Sequence, residues 1–584
     1  PVEAPIVRTF YENDIRRRAK VLSFFLAGWG VLVALRLVQI QVLGHARAKA
    51  AVLRQAQDVV DVEPRRGSIF DRNGDILACS LPAPSVAIRP VSKETASMER
   101  EKVRKLQKAL GLSESEVSYV LGRLRDEANY TYVKKKISEA DAARIMALKL
   151  PGVELEAGTR RNYPHGSLAS HVLGGMDLDG GNRTGVEARY NEILKGQEGK
   201  QITYKVGGGR DYQTQVLKSP VPGKDIVLTI DATIQYIAEK ELARAVDEHG
   251  ASGGVVIIMD TSSGEILALA NRPSYDLNVY PAPPEAMANR AVQASYEPGS
   301  TFKIVTAAAA MERNRVGYSE LFDCSAGFIR VGGTVITDHE RVGVLSFPQV
   351  IIHSSNVGTV QFAQRVTVPE FCETIKAFGF GSRTGIDLPR EDSGLVHPAD
   401  SWQKSSLSHV AIGYEVRATA LQTLVSMNVF ATGGLRVRPL VVKTDGDPGA
   451  PDGRPVRVIS EKTASELINR VFVPVVEAGT AKRGQLDGFG AAGKTGTARK
   501  YDRALDAYTK EYTSSFVGFT PLDGPRLSMI VVLDEPKEGY YGGEVCAPVF
   551  KDIARQVLRY LRVPPERPLP SRVLTAGLEK GKRP

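Results

Sequence analysis

Tyr296-Glu297-Pro298-Gly299-Ser300-Thr301-Phe302-Lys303 is the stretch on which the reading of this chain turns. Pro298-Gly299 is a turn signal, and residues 304–312 behind it, Ile-Val-Thr-Ala-Ala-Ala-Ala-Met-Glu, read as a mostly apolar, buried helix. Ser300 then sits at the mouth of a helix, with Lys303 one turn further on. Residues three apart share a helical face, so the lysine amine can lean on the serine hydroxyl. A serine is a poor nucleophile until a nearby base takes its proton. Lysine is such a base where burial or a neighbouring cation depresses its pKa. The helix N-terminus adds free N–H groups where a tetrahedral oxyanion would form.

A lone S-x-x-K is a weak signal, and Ser401-Trp402-Gln403-Lys404 is another, without the helix-opening context. The company of the first one strengthens it. Ser354-Ser355-Asn356 follows an apolar run and a turn at His353, and Lys494-Thr495-Gly496-Thr497 comes later. A second S-x-N, Ser426-Met427-Asn428, lies inside an apolar helical run over 421–430 and reads as structural. A helix-opening serine, an exposed S-x-N and a K-T-G therefore occur in that order.

Around these motifs the texture is mixed. A boundary is expected near Pro220-Val221-Pro222-Gly223. Residues 225–230 read as a strand, and Asp231 or Thr233 caps a helix running through Val246. Residues 254–259 and 265–270 read as a hairpin, its turn over 260–264, and 514–520 with 527–533 as a second strand pair. A helix is expected over 548–562. Strands thus flank a largely helical middle that carries the serine motif, an α+β arrangement.

The first third has a different character. Residues 1–20 are polar and end in Arg16-Arg17-Arg18 and Lys20. Residues 21–35 are apolar on every face, and after Arg36 the apolar character continues to Leu43. A span needs about 20 apolar residues, and this run qualifies if Arg36 snorkels or lies at the outer interface. The basic cluster ahead of it puts the N-terminus in the cytoplasm and the rest outside. Ala46-Arg47-Ala48 offers a signal-peptide cleavage site, but the run is long for a signal and the site lies well beyond it, so an uncleaved anchor is expected. Residues 44–65 read as an amphipathic helix. In Arg66-Gly67-Ser68-Ile69-Phe70-Asp71-Arg72-Asn73-Gly74-Asp75-Ile76-Leu77-Ala78, a turn at Asp71–Gly74 joins two strand-like pieces. Helical patterns are expected over 99–127, a strand over 130–137, a loop and turn over 161–175, and a helix opening at Gly185-Val186-Glu187.

The 584 residues suggest two or three domains, and their net charge of +10 is scattered with no nucleic-acid module, so a membrane surface or anionic polymer fits better. Cys79, Cys324, Cys372 and Cys546 are far apart; an even count in an exported protein permits disulfides that the sequence cannot pair, and the plainer reading is of free, mostly buried small residues. No metal-binding spacing is present, and His165 and His171 read as structural.

Ser300–Lys303, Ser354–Asn356 and Lys494–Thr497 together resemble the transpeptidase domain of class B penicillin-binding proteins. Asn289-Arg290-Ala291, Gly379-Phe380-Gly381, Thr384-Gly385-Ile386-Asp387-Leu388-Pro389 and Tyr540-Tyr541-Gly542-Gly543 sharpen the match, which looks best to the division-type FtsI family. The resemblance implies an antiparallel sheet flanked by helices, preceded by an extended pedestal and one transmembrane helix. It implies a cytoplasmic tail over 1–20, a span over 21–43, a pedestal over 44–220 and a transpeptidase domain over 221–563. A basic, Pro-containing and disordered tail over 564–584 completes the expected division. One departure is Gly413-Tyr414-Glu415, where a glycine-rich turn is usual, so that Glu415 puts the local loop geometry in question.

By the same resemblance Ser300 is the acylated nucleophile and Lys303 its base. Ser354 relays a proton to the leaving amine, and Asn356 binds the substrate backbone or orients Lys303. Lys494 attracts the substrate carboxylate, Thr495 and Thr497, on either side of Gly496, offer it hydroxyls, and the N–H groups of Ser300 and Thr497 form the oxyanion hole. The implied enzyme cross-links peptidoglycan stem peptides, a D-Ala-D-Ala donor to an amine acceptor, in septal wall synthesis at the bacterial inner membrane, with its catalytic domain periplasmic. β-Lactams inhibit it covalently, no metal or other cofactor is needed, and nucleic acid is no partner. An FtsW-type multi-span glycan polymerase and other division proteins are implied partners. The alternatives are an elongation- or sporulation-type relative, a β-lactam sensor and an idle scaffold. A β-lactamase fits poorly with the pedestal and anchor, and a sensor fits poorly with so few residues ahead of the span.

Overall fold

The computed structural model describes residues 6–39, 57–89, 96–125, 130–176, 181, 184–206, 211–279, 281–443, 454–502 and 506–568. The chain divides into two compact units, Pro1–Arg65 with Gly196–Pro222, and Arg66–Lys195 with Gly223–Pro584.

In the first unit a helix runs over Ile6–Val38, and its stretch Ile15–Val38 is long and apolar enough to cross a membrane. Residues 40–43 of the expected span lie outside the described residues. So do residues 44–56 of the expected amphipathic helix, but Gln57–Val62 corrects that reading: it is a strand. Three of its six residues are valine, whose β-branch favours an extended backbone. It pairs with Gly199–Val206, which also pairs with Asp211–Lys218, in an antiparallel sheet.

In the second unit Asp231 caps helix α1, Ala232–Glu248, accepting the N–H groups of Thr233 (3.0 Å) and Ile234 (3.1 Å). Strands β1 (Gly253–Asp260), β2 (Ile266–Arg272), β3 (Ala492–Asp502), β4 (Ala507–Thr520) and β5 (Leu527–Asp534) form one antiparallel sheet in the order β2-β1-β5-β4-β3. Along β1, Val255, Ile257 and Met259 enter one core while Val256 and Ile258 enter another. Both faces are covered, which is why this strand reads as an unbroken apolar run. Helices α2 (Lys303–Glu312), α3 (Asn356–Ala363) and α4 (Ala420–Ala431) contribute to the first core. The second core is closed by α1 and by α5 (Ala547–Tyr560), which buries Val549, Phe550, Ile553, Ala554, Val557 and Leu558, the two residues per turn of an amphipathic stripe.

The expected strand over 225–230 shrinks to Ile226–Val227, parallel to Ile69–Phe70 in a small sheet with Ile76–Pro82 and Thr159–Asn162. Residues 161–175 are therefore not all loop, and Ser170–Leu173 makes one helical turn. A separate small core lies under helices Ala96–Leu110, Glu114–Arg125 and Glu139–Ala147 and the strands Ser85–Ile88, Thr131–Lys134 and Val153–Glu156. The start of the expected disordered tail is instead tied to the domain, Glu566 accepting the Gly490 N–H (2.6 Å) and Arg567 pairing with Glu477 (2.9 Å); residues 569–584 lie outside the described residues.

The stretch 66–78 is tied inward at Arg66 and at Asp71. Glu187 is fully buried between Arg66 (2.6 Å) and Arg161 (2.6 Å). Asp71 accepts the N–H groups of Asn73 (2.7 Å) and Asp75 (2.9 Å), closing its own turn. Its other oxygen accepts the N–H of Ala232 (3.1 Å), the first residue of α1.

Candidate active site

Ser300 lies on a 3-10 turn, Gly299–Phe302, that runs straight into α2. The turn is possible because Gly299 has φ +53° and Gly413, with φ +86°, lies against it. The Gly299 N–H donates to Gly413 O (3.1 Å), and a β-carbon on Gly413 would come within 2.1 Å of Gly299 O. Glu415 indeed takes a conformation that glycine would adopt more readily, with φ +56°. It is held there by its N–H on Glu297 Oε1 (3.0 Å) and its carboxylate against His409 Nδ1 (2.7 Å).

Lys303 is wholly buried at the start of α2. Its Nζ donates to Ser354 O (2.6 Å) and Asn356 Oδ1 (2.8 Å) and lies 3.3 Å from Ser354 Oγ. Among the described residues no hydrogen bond joins it to Ser300 Oγ, so the lysine leans on the S-x-N motif rather than on the serine one turn before it. Burial lowers its pKa to about 7, against the pull of the Asp338 carboxylate.

Ser354 ends the helix Phe347–Ile352 in the left-handed region, φ +58°. Glycine usually fills such a position, and a side chain there is strained. Asp338 pins this turn, a contribution that the sequence reading missed. It accepts Ser355 Oγ (2.7 Å), the Val357 N–H (3.0 Å) and the Asn356 N–H. Asn356 Nδ2 donates to Thr337 O (2.8 Å). The only sequence signal was an acid directly after the hairpin strand Thr334–Thr337, which does not reveal what it will meet.

The K-T-G motif lies on β3, an edge strand, so alternate backbone groups face away from the sheet. No strand was foreseen there. Gly496 is required by contact: a β-carbon would meet Ser515 Oγ at 2.4 Å and Thr301 Cγ2 at 2.8 Å, so β3 presses directly on the nucleophile turn. Lys494 is fully buried and donates to Ser354 Oγ (3.0 Å) and Thr495 O (3.2 Å). Burial, and then the charge of Lys303, hold its pKa well below the usual lysine range. The Thr495 hydroxyl meets Thr480 Oγ1 (2.8 Å), and the Thr497 hydroxyl accepts the Gly542 N–H (3.1 Å). Gly542 and Gly543 follow the two tyrosines flagged in the sequence. β-Carbons on them would lie 2.4 Å from Gly496 O and 1.9 Å from Thr480 O.

The other candidates are elsewhere. Ser401 is exposed on a short turn and donates to Pro398 O (2.7 Å). Ser426 and Asn428 are buried in α4, bonded to Thr423 O (2.7 Å) and to Thr261 O (3.1 Å). His171 is buried with Nε2 on Ala286 O (2.7 Å), and burial lowers its pKa to about 4. The four cysteines are free thiols, and all but Cys79 are buried.

A buried lysine pair sharing one serine hydroxyl, beside a serine at a helix mouth and an edge strand rich in donors, is equipped for acyl transfer. Residues 254–555 match the family model of the penicillin binding protein transpeptidase domain, and residues 61–228 that of the penicillin-binding protein dimerisation domain. The chain is 33% identical to the penicillin-binding protein PbpB of Mycolicibacterium smegmatis, over 91% of this chain and 89% of that one. It is 31% identical to the peptidoglycan D,D-transpeptidase FtsI of Escherichia coli, over 87% and 86% of the two chains. It also resembles the solved structure of penicillin binding protein 3 from Mycobacterium tuberculosis in complex with aztreonam, with TM-score 0.67 and 28% identity over 87% of this chain and 99% of that one.

Proposed function

This chain belongs to the class B penicillin-binding proteins, the peptidoglycan D,D-transpeptidases, and we propose that it acts through an acyl ester on Ser300 during septal wall synthesis. The observation that carries the site assignment is the hydroxyl of Ser354 held between Lys303 and Lys494 beside the nucleophile turn.

Lys303, neutral in part near pH 7, takes the Ser300 proton as Oγ attacks the penultimate D-Ala carbonyl of the donor stem. The Ser300 and Thr497 N–H groups receive the oxyanion. Lys494 and the Thr495 and Thr497 hydroxyls, across Gly496, hold the terminal carboxylate. As the C–N bond breaks, Ser354 Oγ passes a proton to the departing D-alanine amine and is reprotonated from the lysine pair. The acceptor amine then attacks the ester, its proton returns to Ser300 Oγ, and the new amide is the cross-link. Asn356 holds Lys303 in place and lines the donor backbone. A β-lactam enters the same path and stops at the ester.

The septal assignment rests on the resemblance to the division-type FtsI family, of which the FtsI relative is a member. The 33% identity to the stage V sporulation protein D of Bacillus subtilis, over 86% of this chain and 80% of that one, favours a sporulation-type role as the second reading. The exposed apolar stretch Ile15–Val38 supports a single-pass inner-membrane anchor with the catalytic unit outside. We assign 44–220 to the pedestal and 221–563 to the transpeptidase domain, and propose an FtsW-type polymerase as the partner of anchor and pedestal. Labelling with a fluorescent penicillin and mapping the modified residue tests the site. Label should sit on Ser300 and vanish in a folded Ser300→Ala variant; label on Ser401 would overturn the assignment. Depletion in cells separates the two roles: septal arrest supports the first reading, and normal division with failed sporulation the second.

A further inference from the structure

A cavity of about 520 Å³ lies beside the catalytic motifs, and neither Ser300 nor Lys303 is in its wall. Its wall comes from the residues that flank those motifs. Tyr296 and Glu297 precede the nucleophile turn, Ala498 to Tyr501 follow K-T-G-T, and Glu415 and Arg417 follow Gly413. Val255, Leu395, Ala420 and Val532 make it apolar in between.

Two charged groups in this wall are incompletely matched. Glu297 Oε1 accepts the Glu415 N–H (3.0 Å) and the Tyr508 hydroxyl (3.2 Å), but Oε2 is buried and accepts nothing. A buried carboxylate oxygen without a donor is costly, and burial accordingly raises the pKa of Glu297. Arg417 donates to the carbonyl of Ser295 (2.6 Å) and, among the described residues, has no carboxylate in a salt bridge. It is near enough for its charge to lower the Glu297 pKa against that burial. The other cations of the wall are engaged, Arg290 (3.2 Å) and Lys500 (3.3 Å) both with Asp534, and Arg499 with the Tyr512 hydroxyl (3.4 Å).

We propose that this cavity binds a small zwitterion of the α-amino acid class with an apolar side chain, its carboxylate on Arg417 and its ammonium on the Glu297 carboxylate, whose buried Oε2 turns toward the cavity to meet it. Such a ligand supplies the missing donor and the missing anion at once, and its side chain covers the apolar wall. The site is placed to act on Ser300. A β-carbon on Gly299 would lie 3.1 Å from the Ala498 Cβ, so the nucleophile turn and β3 have little slack between them. An occupant pressing on Glu297 and on 498–501 shifts both, and with them the rate of acylation.

The test uses the full chain in detergent and isothermal titration with phenylalanine, 2-phenylethylamine and 3-phenylpropionate. Phenylalanine should bind saturably and about tenfold or more tighter than either half-charged analogue. Glu297→Gln and Arg417→Ala should each weaken it about tenfold, and Leu395→Trp, which enlarges a side chain of the wall, should abolish it. Circular dichroism of each variant shows whether it has folded. Protein already acylated on Ser300 should still bind. Saturating phenylalanine should change the rate of fluorescent-penicillin labelling by about threefold or more, roughly 0.65 kcal/mol of barrier. No saturable binding, equal binding of the three probes, or full affinity in both folded charge variants would overturn the site. Loss of binding on acylation would do so too, by placing the ligand in the catalytic cleft. An unchanged labelling rate with binding intact would overturn the coupling. Titration does not depend on acylation, so it can fail or succeed independently of the transpeptidase assignment.

Discussion

Lys494 Nζ donates to Ser354 Oγ across 3.0 Å, and the same hydroxyl lies 3.3 Å from Lys303 Nζ. Two buried amines thus share one hydroxyl, and neither retains its full affinity for a proton. The protonation state of this group belongs to the pair and sets when the site is reactive.

The first consequence is a pH dependence. Lys303 has its pKa lowered to about 7 by burial, so it is protonated below that pH and neutral above it. Only the neutral amine accepts the Ser300 proton. Second-order labelling by a fluorescent penicillin should therefore rise about tenfold per pH unit on the acidic side and level off above neutrality. A flat profile through neutrality would remove Lys303 from the role of base.

Lys494→Ala should slow acylation by roughly 2–5 kcal/mol, because a desolvated carboxylate loses its cation and Ser354 loses a donor. Stopped-flow labelling gives the rate. A variant within a few-fold of the parent would contradict the assignment.

Asp338→Asn should leave the fold intact and slow acylation by about tenfold or more, since an amide offers the Ser355 hydroxyl and two N–H groups a poorer acceptor. A positioning role has a signature that lost stability lacks. Removing the carboxylate that favours charged Lys303 should move the acidic limb of the labelling profile to lower pH. Slower labelling with an unmoved limb would leave Asp338 a purely structural residue.

Gly413→Ala should be more damaging than its size suggests. Its β-carbon would come within 2.1 Å of Gly299 O, and the φ of +86° is itself strained for alanine. Loss of labelling together with a fall in stability of about 2 kcal/mol or more is expected. Chemical denaturation supplies the second number, and near-parental values of both would show that the turn can yield.

Arg66→Ala leaves buried Glu187 with Arg161 as its remaining ion-pair partner and should cost about 3 kcal/mol or more. Thermal unfolding reads this directly, while Ser300 labelling of the protein that remains folded should be nearly unchanged. Asp71→Ala is a different case, because Asp71 also accepts the first N–H of α1. Its loss should add to the opened turn a lost acceptor at the start of α1, about 1 kcal/mol.

The nucleophile, its lysine, the S-x-N and the K-T-G were legible in the sequence because each is a short local pattern whose residue types state their chemistry. The decoys were separable on the same grounds. Ser426 sits in an apolar run that becomes α4, and Ser401 lacks a helix behind it. The N-terminal apolar stretch, the β1-β2 hairpin, the cap at Asp231 and the amphipathic α5 were likewise set by periodicity and turn residues over a few positions.

What tertiary structure decided is everything that depends on which surfaces meet. Residues 494–497 carry little local signal for a strand, and they extend because β4 offers a hydrogen-bonding edge. Residues 57–62 extend because Gly199–Val206, far along the chain, pairs with them. Lys303 looked ready to lean on Ser300, yet its amine turns to Ser354 and Asn356, about fifty residues away, because burial leaves it only the acceptors that packing brings. Asp338 and Gly413 matter for the same reason. A carboxylate after a hairpin and a glycine in a loop acquire their roles from the N–H groups and carbonyl placed against them. Helix, turn and motif are encoded within a few residues, whereas pKa values, the strained Ser354 and the cavity beside Glu297 arise from burial, which a chain acquires only on folding.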